Sequence, residues 1–103
     1  MKEGLHLPEN RELHEKINVQ LILRLSPVVT TIVEQGVAKG QFKVKNTLET
    51  VQFLLTASQF LFDEGLFTWG DEEWTARRKV MQEIIETSLG ANKGSFGFIN
   101  NRY

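Results

Sequence analysis

Catalysis or metal binding requires a few polar groups of the right kind to converge, and this sequence offers few of them. It holds two histidines, His6 and His14, and no cysteine. A structural zinc site takes about four ligands, and the sequence singles out no further ligand at a matching position. Both histidines read instead as exposed residues near a helix start. The absence of cysteine removes disulfides, a thiol nucleophile and thiolate metal sites. Glu72 and Glu73 lie where a solvated helix start would place acids. No Ser, His and acid fall into a nucleophilic arrangement, and no glycine-rich loop could cradle a phosphate. The expectation is a protein that is not an enzyme and carries no cofactor or metal.

Binding chemistry is better represented. Leu21, Leu25, Val29, Phe53 and Phe60 could line an apolar pocket, with Gln20 or Gln59 supplying a polar contact, the usual mixture of a ligand site. Taken singly, each of them reads first as plain core. Arg77 falls within an apolar helix face, where a free guanidinium is costly to bury. It either snorkels to water or pairs with an acid such as Asp63 or Glu64 across an interface. Trp69 and Trp74 are packing anchors. Gly36 and Gly40 read as helix termination and turn rather than close helix approach.

The elements that carry these residues are helical. From Asn10 to Lys39 the apolar positions Leu13, Ile17, Leu21, Leu25, Val28, Val29, Ile32 and Val33 keep helical spacing after Pro8, a residue suited to a first turn. Pro27 predicts a kink, or two helices meeting at Leu25 to Pro27. Residues 41 to 45 alternate, but so short a lone strand is unstable. They form an extended connector that plugs Phe42 and Val44 into the core. Asn46 and Glu49 are spaced as a cap for a second helix to about Glu64, before Gly65. There Glu49, Gln52, Thr56, Gln59 and Asp63 make one narrow polar stripe, and the remaining arc is apolar. A third helix runs from Asp71 to Leu89, stopped by Gly90. The tail from 91 to 103 is a loop or a docked extension.

The chain has 103 residues with 12 basic against 13 acidic, a net charge of −1. That balance gives no positive field for nucleic acid. At this length a single domain, 1 to 103, is expected, and it buries a modest fraction of its surface. No N-terminal run reads as a leader, and no stretch approaches the roughly 20 apolar residues that cross a bilayer. The expectation is a cytoplasmic protein with no membrane partner.

The order of four pieces is more specific. Thr31-Ile32-Val33-Glu34-Gln35-Gly36-Val37-Ala38-Lys39-Gly40-Gln41-Phe42-Lys43-Val44 resembles the effector-domain segment of TetR-like regulators. Pro8-Glu9-Asn10-Arg11-Glu12-Leu13-His14, Asn46-Thr47 and Leu89-Gly90-Ala91-Asn92-Lys93-Gly94-Ser95-Phe96 are similar to pieces of the same family. Where the family usually has Asp-Pro, this chain has Asn46-Thr47. The family begins with a basic helix-turn-helix that residues 1 to 103 do not contain, so the chain reads as a fragment or truncated product that reaches DNA only through that module.

The resemblance implies an all-α helical bundle of about three to five helices. Its last two long helices would form an intersubunit four-helix bundle, here through roughly Thr47 to Glu64 and Asp71 to Leu89. Leu54, Leu61, Trp74, Arg77, Met81, Ile84 and Ile85 are the candidate interface residues. The wide apolar arc of the second helix supports a homodimer independently. The implied function is repression controlled by a small apolar effector that enters each subunit's pocket. The alternative is a stand-alone helical protein-protein interaction module with no small-molecule ligand.

Overall fold

The computed structural model describes residues 8 to 100, and within them the fold is all-helical. Helix α1, Pro8–Ala38, is 31 residues long and passes through Pro27 without a break. The two-helix alternative at Leu25 to Pro27 is thus not what forms. Pro8 occupies the first position, where its missing N–H costs nothing. At Pro27 the turn is fastened from the side. Thr31 donates its hydroxyl to the Pro27 carbonyl at 3.0 Å, and Gln52 donates to the hydroxyl of fully buried Ser26 at 3.3 Å.

α1 also corrects the expectation that no segment is long and apolar enough to cross a bilayer. Asn10–Ala38, 29 residues long, contains an 18-residue stretch with a mean hydropathy of 1.3 and meets that requirement by length and composition. Inspection for uninterrupted apolar runs overlooked it, because its polar residues are spread among strongly apolar ones.

Gly36 lies inside α1, buried, and a Cβ there would run into the ring of Phe42. Close approach, not helix termination, is therefore what this position requires. The turn falls at Gly40, whose φ is +78°. There the chain reverses, and the N–H of Gln41 reaches the Gly36 carbonyl at 2.8 Å. The following connector is extended, and Phe42 and Val44 pack on the core, as the alternation indicated.

α2, Thr47–Leu61, starts at Asn46, but the Asn46 side chain makes no capping hydrogen bond. The helix ends at Leu61 rather than near Glu64, because Asp63 turns its carboxylate onto the N–H of Gly65 at 2.8 Å. α3, Asp71–Leu89, has the bounds its pattern indicated. The Glu73 carboxylate accepts the N–H of Gly70 at 2.9 Å at its start, and Gly90 closes it.

The core lies where the C-terminal half of α1, the start of α2 and the end of α3 meet. Val33, Val51 and Leu89 are buried there, with Val29, Phe42, Val44, Leu54, Leu55, Ile85 and Phe96 packed around them. The Lys43 N–H bonds to the Leu89 carbonyl at 2.8 Å, so the connector is tied to the end of α3. Beyond the core α1 and α2 run antiparallel as a hairpin. The tail is docked: a short 3-10 turn spans Gly97–Asn100, and Phe96 sits 5.9 Å from Phe42 between ring centres. Buried Glu86 holds it, accepting the Phe96 N–H and the Gln82 amide, each at 2.9 Å.

Candidate functional site

Away from the core, the α1–α2 hairpin opens into a groove of about 480 Å³, within the size range of small-molecule sites. Antiparallel packing sets its polarity along its length. Arg11, His14 and Glu15 of α1 meet Asp63 of α2 at one end, and Val19, Ile22 and Leu23 face Thr56 and Phe60 further in. Asn18 and Gln59 line the wall between. His14 Nε2 lies 3.3 Å from the Asp63 carboxylate, both partly buried. The polar stripe of α2 thus faces α1 rather than solvent: Gln52 reaches Ser26, Asp63 reaches His14, and Thr56 and Gln59 line the groove.

One end of the groove is continuous with an aromatic stack built by the α2–α3 connection. Phe60, a lining residue, meets Phe67 edge-on at 5.8 Å, and Phe67 stacks on Trp69 at 5.0 Å. The Arg77 guanidinium covers the far face of that stack, 3.7 Å from the Trp69 ring centre. Trp69 donates its indole N–H to the Leu61 carbonyl at 3.0 Å, and Phe62 stacks on Trp74 at 5.4 Å. Arg77 also donates to the Glu73 carbonyl at 3.2 Å. Its partners within the chain are therefore an aromatic face and a backbone oxygen. Sequence inspection missed the aromatic partner, since Trp69 and Arg77 lie on different elements.

The structure separates the residues that the sequence grouped as a pocket. Phe60 and Gln59 line the groove. Gln20 and Leu21 border a shallow recess on another side of α1, with Lys16, Ile17 and Arg24. Leu25 is exposed, Val29 packs on the core, and Phe53 is 76% exposed. The lining residues Val19, Ile22 and Leu23 were not singled out. Only their pairing with α2 marks them, because the apolar residues of α1 point in several directions.

The seven candidate interface residues also divide. Leu54 and Ile85 pack against the core, Met81 is buried and accepts the Ser58 hydroxyl at 3.6 Å, and Leu61 is half-buried. Trp74 and Arg77 are engaged in the aromatic contacts above. Ile84 is exposed at 47%, one turn from Val80 at 49%. His14 is paired with Asp63 rather than exposed, and His6 lies outside the described residues. Among the described residues no group of three or more His, Asp or Glu is placed to hold a metal ion.

A helical hairpin that opens into an amphipathic groove, with further apolar surface on the helices beside it, defines a class of all-α domains whose surfaces are suited to binding. Residues 1–84 match the model of the tetracyclin repressor-like C-terminal domain. The match covers most of the chain, which therefore belongs to that family of regulator domains. No curated protein matches it.

Proposed function

We propose that the chain is the ligand-sensing and dimerisation domain of a cytoplasmic transcriptional repressor, a single unit over residues 1 to 103. A small molecule enters the α1–α2 groove and favours one arrangement of a homodimer. That choice sets the spacing of DNA-reading modules carried by the intact regulator. The effector supplies the energy through its different affinity for the two arrangements. The observation that carries the reading is the groove itself, amphipathic and of ligand size, in a chain of this family.

The dimer reading is supported by apolar surface that the subunit leaves uncovered. Val80 and Ile84 form a stripe on α3, and Phe53 and Ala57 lie one turn apart on α2; all four are exposed. Burying such faces against a second copy of the chain is the common solution. Light scattering over a concentration series tests it. A mass of twice 11.8 kDa is expected, and a monomer at every concentration overturns it. One observation favours the second reading, a module that binds another protein: the stripe Leu13, Ile17, Leu21, Leu25, Val28 and Ile32 along α1 is exposed throughout. A monomer that forms tight complexes only with a different protein would decide for it.

A further inference from the structure

At the polar end of the groove Asp63 already has a partner, whereas the uncharged polar side chains further along do not. His14 and Asp63 pair with each other at 3.3 Å, and Arg11 lies near them with Glu15. By contrast, the side chains of Asn18, Thr56 and Gln59 line the groove and, among the described residues, make no hydrogen bond to another residue. Both amides donate and accept, as does the hydroxyl. The walls around them are Val19, Ile22, Leu23 and Phe60.

An anionic head group would meet two carboxylates here, and a cationic one would meet Arg11. Either would also give up part of its hydration to the apolar walls. A hydroxyl or an uncharged amide head would satisfy Asn18 and Gln59 and disturb no ion pair. We propose that the groove selects a neutral amphiphile: an apolar body against Val19, Ile22, Leu23 and Phe60, and an uncharged hydrogen-bonding head held by Asn18 and Gln59. This rests on the ligand-sensing reading above and adds the chemical class of its ligand.

Three probes with one tail and different heads test the class: 1-octanol, octanoate and octylammonium, each below its micelle threshold, titrated calorimetrically into the full chain at neutral pH. Octanol should bind at least about tenfold more tightly than either ion, a difference of about 1.4 kcal/mol. Val19→Trp should fill the groove and abolish octanol binding. Because Val19 is exposed, the helix content seen by circular dichroism should not change. The pair Asn18→Leu and Gln59→Leu should weaken octanol by a similar factor and leave the apolar walls intact.

Equal or tighter binding of either ion overturns the neutral class and leaves ligand sensing standing. Binding of octanol that survives Val19→Trp places it elsewhere and overturns the site. No binding of any probe by a chain that is still dimeric in light scattering overturns the groove as an amphiphile site; loss of the dimer is instead the failure of the regulator-domain reading.

Discussion

Two residues hold the fold in ways that their types alone did not announce. Gly36 is one: its missing Cβ makes room for the Phe42 ring. Gly36→Ala should cost about 1 to 3 kcal/mol through overpacking, seen as a lower urea midpoint with an unchanged slope. Glu86 is the other, a carboxylate buried by the tail it holds. The N–H groups of Gly94 and Phe96 lower its pKa below the ordinary 4.5, helped by the Gln82 amide and Lys93, while burial opposes them. A group depressed in the folded state contributes stability above its unfolded pKa and loses it as pH falls through the folded value. The docked tail should therefore loosen below about pH 4.5, and Glu86→Gln should loosen it at neutral pH. Hydrogen exchange at the Phe96 amide reads both. An amide that stays equally protected in the variant would show that Phe96 packing alone holds the tail.

At the scale of elements, α1 and α2 illustrate how tertiary pairing overrides a helical wheel. The stripe Gln52, Thr56, Gln59 and Asp63 has the form of a solvated face, yet it lies against α1 because Ser26, His14 and the groove supply its partners. α1 itself continues through Pro27, which leaves the Leu23 carbonyl without its usual helical donor. Thr31 and the contact between Ser26 and Gln52 fasten the flanking turns. Pro27 is exposed, so Pro27→Ala can restore that hydrogen bond without disturbing the core. The substitution should raise stability by about 1 to 3 kcal/mol, measured by chemical denaturation. A loss of stability would mean that the proline geometry is needed to seat Ser26.

At the scale of the molecule, the packed core occupies one end, and much apolar side-chain surface lies outside it. Phe53, Val80 and Ile84 are exposed on α2 and α3. If two copies meet through these helices, Val80→Asp with Ile84→Asp buries two unpaired charges at their junction. The dimer should then weaken by at least about a hundredfold, roughly 2.7 kcal/mol. Light scattering should find a monomer whose circular dichroism is unchanged, since neither side chain belongs to the subunit core. A dimer that survives both substitutions would move the interface elsewhere, with the α1 stripe the next surface to vary.

Helical class, the limits of α3, the docking of Phe42 and Val44 and the family resemblance were legible in the residues, because each rests on local spacing, turn chemistry or a continuous motif. The positions that line the groove were not. α1 is apolar in several directions, and only its pairing with α2 decides that Val19, Ile22 and Leu23 enclose space while Gln20 and Leu21 turn away. In the same way Arg77 meets an aromatic face and Gly36 meets a ring, contacts between elements separated in sequence. Periodicity fixes which residues share a face of one helix; which face meets which neighbour depends on long-range packing, and that was decided only in three dimensions.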